Sequence, residues 1–234
     1  MGNAFCTVDD LGFPHFNAID LMRYKLLPGN QRFVTGENYL WAYKAGFLVY
    51  NRHAISRFSQ ENNIPELLLA GVAVSEVGGK PDRLKTYGLL QFRQLIDIFR
   101  GNNNLSNVTS VGSLAIQLRA AAEAIGIDPS KLNRTQQFQL SNCLLNNDYN
   151  IQIVAKHLHD LILYDYPDAD TRNLNDEQII LAGSRYNRGI QRKKQDFIDS
   201  INAPVGSPLR KYTEYGRSII NKRKSIENIM DLGE

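Results

Sequence analysis

The segment from Ile64 to Val77 constrains the fold of this chain more than any other. It is apolar on nearly every side of a helix, and a helix of that kind lies buried in the middle of a domain. The residues that carry this pattern are Leu67, Leu68, Leu69, Ala70, Val72, Ala73 and Val74. Gly78 and Gly79 follow and predict the end of the helix. We therefore expect a packed domain built around this segment.

The periodicity of most of the remaining chain is also helical. Apolar residues recur near helical spacing from Glu37 to Glu61, and Asn62 and Asn63 end that helix. Further helical patterns cover Ser113–Ile125, Pro129–Leu145, Asn150–Leu163, Asp176–Tyr186 and Leu209–Ile229. A chain of 234 residues is the size of one large domain. The sequence predicts a mainly α protein, with a single helical domain over residues 36–234 that ends in a basic helix.

Two stretches lack a helical period. Residues 1–35 contain Gly12, Pro14, Pro28 and Gly29, so we expect a loop-rich N-terminal arm. Residues 80–93 are expected to form at most a small β or irregular segment. No window approaches 18 uninterrupted apolar residues and no secretory signal is visible, so we expect no membrane span and synthesis in the cytoplasm.

Positive charge concentrates near the C-terminus. Residues 183–224 hold eleven Lys and Arg residues against Asp196, Asp199 and Glu214, although the whole chain carries only +3. Such a segment favours a polyanionic neighbour, and a solvated helical face is the alternative. The basic runs have no aromatic residues between them, so stacking on nucleic-acid bases is not expected.

The cysteines and histidines predict neither a disulfide framework nor a metal site. Cys6 and Cys143 have no metal-ligand spacing, and two free thiols are most simply explained by a reducing compartment. His157 and His159 are two residues apart on a helix and point in different directions. We therefore expect no metal and no cofactor.

Glu76 lies at the end of the apolar helix, where burial of an ionised carboxylate without a partner is energetically costly. Burial and the negative end of the helix dipole both disfavour its anion. A carboxylic acid that stays protonated near neutral pH is what general-acid cleavage of a glycosidic bond requires. A Glu that points to water, or one that pairs with Arg83 or Arg93, is the alternative interpretation.

Three segments follow each other in the order SEVGG (75–79), YGLLQF (87–92) and SRYNRG (184–189). Together they resemble the soluble lytic transglycosylase and goose-type lysozyme group of the lysozyme superfamily, over roughly residues 60–190. In that group a catalytic Glu closes a buried helix, a G-L-M-Q segment lines the sugar groove, and a Y-N-x-G segment supplies a Tyr beside the Glu. This chain departs from the pattern at Val77, where the group usually has a small polar residue, and in the short stretch from Glu76 to Gly88.

The resemblance implies a lysozyme-like fold and cleavage of peptidoglycan at the β-1,4 bond between MurNAc and GlcNAc. The enzyme would be a lytic transglycosylase or a muramidase, and a muramidase usually needs a second carboxylate, for which Asp82 is the nearest candidate in sequence. The catalytic residues that it implies are Glu76 and Tyr186. The substrate-binding residues that it implies are Thr86, Tyr87, Gln91 and Asn187.

Two other functions stay open at this point: a catalytically inactive lysozyme-like module that binds glycan or a partner protein, and a helical nucleic-acid binder. If the chain is the enzyme, its substrate lies outside the bacterial inner membrane. We therefore expect an antibacterial effector, a toxin delivered to the periplasm of a target cell by a contact-dependent, type VI-like secretion apparatus, with a phage lysis or injection system as the alternative. Its expected partners are peptidoglycan, a secretion-apparatus carrier and an immunity protein.

Overall fold

A computed structural model describes residues 3–7, 13–27, 35–79 and 82–231, and confirms the mainly α class. Its helices are α1 (Ala18–Lys25), α2 (Gly36–Glu61), α3 (Glu66–Glu76), α4 (Asp82–Arg100), α5 (Asn104–Asn107), α6 (Leu118–Ala124), α7 (Arg134–Leu144), α8 (Asn147–Asp165), α9 (Asp176–Arg188), α10 (Lys194–Asn202), α11 (Glu214–Asn221) and α12 (Arg223–Met230). Short 3-10 helices cover Pro129–Lys131 and Pro208–Tyr212. The strands β1 (Ser110–Val111) and β2 (Ile116–Gln117) form one antiparallel pair.

The chain divides into two compact units, and the first comprises Met1–Asn51 and Glu76–Val154. Its core is apolar and fully withdrawn from solvent. The residues at its centre include Phe16, Phe47, Leu48, Leu90, Leu114, Leu118, Leu140 and Leu144. The tight turn between β1 and β2 is held by Asn150, whose Oδ1 accepts a hydrogen bond from the Leu114 backbone N–H at 2.9 Å. Gly112 has a φ of +80° in that turn, and a Cβ there would lie 2.2 Å from the Leu144 carbonyl oxygen, so only glycine fits.

The second unit comprises Arg52–Ser75 and Ala155–Glu234, and glycines allow its helices to pack closely. Ile219 of α11 lies against Gly71 of α3, where a Cβ would approach the Ile219 Cγ2 to 2.3 Å. A Cβ at Gly216 of α11 would lie 1.9 Å from the Ile180 carbonyl oxygen of α9. The helix α11 therefore packs on both α3 and α9 at distances that side chains would prevent.

The prediction of two free cysteines is wrong. Cys6 and Cys143 form a disulfide bond across 137 residues of sequence. Close by, the Asn3 Nδ2 donates a hydrogen bond to the Gln139 carbonyl oxygen at 2.9 Å. The described N-terminal residues 3–7 are thus attached to α7, and the disulfide removes the reason for assigning the chain to a reducing compartment.

The prediction of an irregular or β segment near residues 80–93 is also wrong. Helix α4 covers residues 82–93, while residues 80 and 81 lie outside the described residues, and the two strands occur later in the chain. The inner face of α4 carries polar side chains that are satisfied by hydrogen bonds. Asp97 Oδ2 accepts from the backbone N–H and the hydroxyl of Ser106, both at 2.7 Å, and Gln94 Nε2 donates to Gln137 Oε1 at 2.9 Å.

The helix predicted over Ser113–Ile125 is wrong in its first part, where Ile116–Gln117 form β2 and only Leu118–Ala124 are helical. The remaining element predictions are confirmed with shifted ends. The helix predicted from Glu37 to Glu61 is α2, and Asn63 follows it with a φ of +52°. The final basic helix is divided into a 3-10 helix, α11 and α12. Within the predicted N-terminal arm, α1 begins with a capping box in which the Asn17 side chain and the Asp20 side chain each accept a backbone N–H of the other residue. The parts of that arm at residues 1–2, 8–12 and 28–34 lie outside the described residues.

Candidate active site

Glu76 is the last residue of α3, as the sequence predicts. The residues before it, Leu68 to Val74, are all buried, and Val77 after it is only 1% exposed. The Glu76 side chain itself is half-buried. The Glu76 carboxyl group therefore lies at a partly solvated position beside an apolar interior, at the negative end of α3.

Two glycines turn the chain immediately after Glu76. Gly78 and Gly79 have φ values of +82° and +84°, a region that side chains other than glycine rarely adopt. Gly78 also lacks room for a side chain, because a Cβ would lie 2.9 Å from the Leu40 Cδ1 of α2. Gly79 has no atom within 4 Å of the corresponding position. The turn fixes where α3 ends and hence where the Glu76 carboxyl group emerges.

Helix α4 separates the predicted substrate-binding residues onto two faces. Thr86 is 2% exposed on the inner face, whereas Gln91 is exposed and lies about 140° away around the helix. The Gln91 amide makes no hydrogen bond within the described part of the chain, and Gly88, one turn before it, has no atom within 4 Å of a Cβ position. Gly88 and Gln91 thus lie on an exposed face of α4 that also carries the apolar side chain of Leu95, and Thr86 does not share it.

Tyr87 is held against α7 in the first unit. Its hydroxyl donates a hydrogen bond to Asn142 Oδ1 at 2.9 Å, and its ring stacks on Phe138 with centroids 5.3 Å apart. The side chain is half-buried and fixed at both its ring and its hydroxyl. Tyr87 therefore positions α4 on α7 and offers only its remaining exposed edge to a ligand.

Tyr186 and Asn187 lie near the end of α9 in the second unit. The Tyr186 ring is half-buried and lies 5.9 Å from the His157 ring, centroid to centroid, while Asn187 is exposed. Burial lowers the pKa of His157 to about 4, so its imidazole is neutral at neutral pH. Gly189 ends the helix with a φ of +80°.

Sequence reasoning missed the role of Arg185 beside Tyr186. Its guanidinium pairs with Asp165 in a bidentate ion pair, and both side chains are almost completely buried. Arg185 Nη1 also donates to the backbone carbonyl oxygens of Gly189 at 3.4 Å and Arg192 at 2.6 Å. A charged residue directly after the buried Ile179–Ser184 stretch was the available signal, of the same kind that drew attention to Glu76.

The six predicted site residues are distributed over both units. Glu76, Thr86, Tyr87 and Gln91 belong to the first, and their placement is described above. Tyr186 and Asn187 belong to the second. The side chain of Asp82 lies outside the described residues.

No family model, curated protein or solved structure matches this chain. The lysozyme-like assignment therefore stays a prediction that rests on the three segments. Among the helices that the structure describes, none has both the length and the apolar content of a bilayer span.

Proposed function

We propose that this chain cleaves the glycan strands of peptidoglycan at the β-1,4 bond between MurNAc and GlcNAc, with Glu76 as general acid and base. The observation that carries the proposal is the position of Glu76. It is the last residue of a helix in which Leu68 to Val74 are all buried, and after Val77 a turn of two glycines in the left-handed region follows. A carboxyl group at the edge of an apolar interior has the environment that a glycosidic general acid needs.

The chemistry requires one carboxyl group to act twice. Glu76 first donates its proton to the leaving glycosidic oxygen, and its carboxylate then accepts a proton from the incoming nucleophile. In a transglycosylase that nucleophile is a hydroxyl of the muramic acid itself, which closes a 1,6-anhydro ring. In a muramidase it is water. Tyr186, in the role that the resemblance implies, donates a hydrogen bond to the reacting groups.

The open face of α4 supports a glycan-binding role. Gln91 offers one acceptor and two donors to sugar hydroxyl or N-acetyl groups, and its amide is exposed. Gly88 leaves the helix surface beside it without a side chain. A sugar ring can therefore approach the α4 backbone closely at this position.

The replacement Glu76→Gln tests the proposal because it keeps the shape of the side chain and removes the titratable proton. We expect the wild-type protein to release soluble muropeptides from purified sacculi and Glu76→Gln to release none. Glu66→Gln, at the other end of the same helix, is the matched control and should retain activity. Equal turnover by Glu76→Gln and the wild type would overturn the assignment.

A binding module without catalytic activity is the second candidate, and the environment of α4 favours it. Thr86 is buried and Tyr87 is already occupied by Asn142 and Phe138, which leaves fewer groups for a substrate than the resemblance implies. Such a module would sediment with sacculi and generate no new glycan ends. The same digestion experiment, read together with sedimentation, separates it from the enzyme.

We further propose that the protein acts in the periplasm of a target cell as an antibacterial effector, with a carrier and an immunity protein as partners. The proposed substrate lies there, and the Cys6–Cys143 disulfide is of the kind that persists in an oxidising compartment. Expression with a periplasmic export signal should lyse the host, expression without it should not, and Glu76→Gln should restore growth. Equal toxicity with and without the export signal would contradict a cell-wall target.

A further inference from the structure

The second half of α4 exposes its large apolar residues to solvent. The side chains of Phe92, Leu95, Ile98 and Phe99 are 60%, 52%, 48% and 84% exposed. Since an α-helix turns by about 100° per residue, Phe92, Leu95 and Phe99 lie within about 60° of one another around α4. Ile98 lies about 60° beyond Leu95. These four residues form one continuous stripe on the first unit, which we call the α4 outer face.

Buried polar contacts on the opposite side of α4 fix the direction of this stripe. Asp97 lies about 160° from Phe99 around the helix and is buried. Its carboxylate accepts hydrogen bonds from the Leu105 and Ser106 backbone N–H groups at 3.1 and 2.7 Å, and from the Ser106 hydroxyl at 2.7 Å. Turning α4 to bury the apolar stripe would break these bonds, and the loss of a buried partner is costly. The α4 outer face is therefore held towards solvent.

The exposed apolar area is large for one helix and small for a protein interface. The rings of Phe92 and Phe99 alone leave roughly 200–350 Å² in contact with water. The largest apolar patch of a typical monomer measures about 300–600 Å² and often marks an interaction site. A stable protein interface buries about 800 Å² on each partner, which is more than this stripe supplies. A lipid bilayer requires only apolar side chains that can enter it.

Arginine residues flank the α4 outer face on both sides. Arg100, the last residue of α4, lies about 100° to one side of Phe99. On the other side, Gln94 Nε2 donates a hydrogen bond to the backbone carbonyl oxygen of Arg134 at 3.2 Å. Arg100 and Arg134 are both exposed, and neither forms an ion pair within the part of the chain that the structure describes. Two positive charges are thus available beside the stripe.

The carboxylates of the surrounding segments leave these charges uncompensated. Residues 91–111 and 128–144, which cover the second half of α4 and the segments in contact with it, contain only Asp97 and Asp128 as acidic residues. The Asp97 carboxylate is buried and hydrogen-bonded. Asp128 is close to Lys131, whose Nζ lies 3.9 Å from its Oδ2. These segments therefore carry a net positive charge beside an apolar stripe.

We propose that the α4 outer face docks on the surface of an anionic lipid bilayer. A helix bound in this way lies in the plane of the bilayer, with its apolar side chains among the acyl chains and its basic residues at the headgroups. Exposure is greatest at Phe99, so the C-terminal end of α4 enters most deeply. The stripe begins one turn after Gly88 and Gln91, and the proposal holds whether or not Glu76 cleaves glycan.

Sedimentation with lipid vesicles tests the apolar part of the proposal. The vesicles contain either equal parts of phosphatidylcholine and phosphatidylglycerol or phosphatidylcholine alone. We expect the wild-type protein to bind the mixed vesicles about tenfold more tightly than the neutral ones. Phe92→Gln/Phe99→Gln should weaken binding to the mixed vesicles about tenfold, while its urea midpoint stays unchanged because both side chains are exposed. Val205→Gln, which replaces a 90% exposed residue outside the face, should bind as the wild type does.

A pair of charge variants tests the electrostatic part. Arg100→Gln/Arg134→Gln should weaken binding to the mixed vesicles about tenfold and leave binding to neutral vesicles unchanged. Lys211→Gln/Lys224→Gln removes the same number of exposed charges at a distance in sequence from the α4 outer face and should have a smaller effect.

Three results would overturn the proposal. The first is equal binding of the wild type to mixed and neutral vesicles, or no binding to either. The second is wild-type binding by Phe92→Gln/Phe99→Gln. The third is a concentration-dependent dimer in analytical ultracentrifugation that this double variant abolishes, without any binding of the wild type to vesicles, which would assign the α4 outer face to a second copy of the chain.

Discussion

The guanidinium of Arg185 lies 2.7 and 2.8 Å from the two carboxylate oxygens of Asp165, and the two side chains are only 1% and 2% exposed. Removing one partner of such a pair leaves an uncompensated charge in the interior. We expect Asp165→Asn to lower the free energy of unfolding by about 3–5 kcal/mol, measured by urea denaturation.

An exposed ion pair in the same unit provides the control for this prediction. Arg223 and Asp176 are 37% and 56% exposed, so Asp176→Asn should cost less than about 1 kcal/mol. The double variant Asp165→Leu/Arg185→Met should recover much of the stability that Asp165→Asn loses, because it buries no charge. A loss in Asp165→Asn no larger than that in Asp176→Asn would show that the buried pair has no special role.

The Cys6–Cys143 disulfide should stabilise the oxidised protein. Cross-links that close long loops restrict the unfolded chain, and their loss costs about 2–5 kcal/mol. We expect reductant to lower the urea midpoint of the wild-type protein. Cys6→Ser should start from that lower midpoint and show no response to reductant. If reductant also lowered the urea midpoint of Cys6→Ser, the change in stability would not come from the Cys6–Cys143 disulfide.

His157 should make the fold sensitive to acid. Because burial lowers its pKa to about 4, the unfolded chain binds a proton more readily than the folded chain between pH 6.5 and 4, and stability is lost as the pH falls through that interval. The contribution is roughly 2 kcal/mol between pH 7.5 and pH 5. His157→Gln should remove that part of the pH dependence, measured by urea denaturation at the two pH values. His159→Gln, on the same helix, should keep it, and an unchanged pH dependence in His157→Gln would contradict the prediction.

Gly88→Ala should raise the stability of the protein and lower its activity. Gly88 lies inside α4 with open space around it, so a methyl group raises helix propensity and stabilises the fold by about 0.5–1 kcal/mol. If a sugar approaches the backbone at this position, the same methyl group lowers the rate of sacculus digestion. A stabilised variant with wild-type activity would remove Gly88 from the proposed glycan surface.

The helix that ends at Glu76 was predictable from sequence because its pattern is purely local. A continuous apolar run followed by two glycines admits one interpretation, and α3 confirms it. The ends of α2 and α9 were predictable for a similar reason. Asn63 and Gly189 are residue types that tolerate positive φ, and both adopt it.

Helix α4 was missed because polar residues share its buried face with Leu90 while several large apolar residues are exposed. Its inner face holds Thr86, Gln94 and Asp97, whereas Phe92 and Phe99 are 60% and 84% exposed. Polar residues become suitable for the interior only through partners such as Ser106 and Gln137, which are distant in sequence. An analysis of hydrophobic periodicity therefore does not detect a helix face that is buried through hydrogen bonds.

Long-range pairs were not predictable for the same physical reason. Cys6 meets Cys143, and Asp165 meets Arg185, only after the chain has folded. Two cysteines carry no spacing signal, and the apolar residues before Arg185 indicate burial without identifying Asp165 as its partner. The site prediction was likewise limited to residues to which the resemblance gives a role. Arg185 lies inside the SRYNRG segment without such a role, so its ion pair was identified only in the structure.

Mass spectrometry of purified sacculi after digestion tests the central claim most directly. Glycan cleavage by Glu76 predicts new ends in the wild-type digest, either 1,6-anhydro-muramyl ends from a transglycosylase or reducing ends from a muramidase, and no new ends with Glu76→Gln. An intact polymer after incubation with the folded, disulfide-bonded wild-type protein would contradict the account.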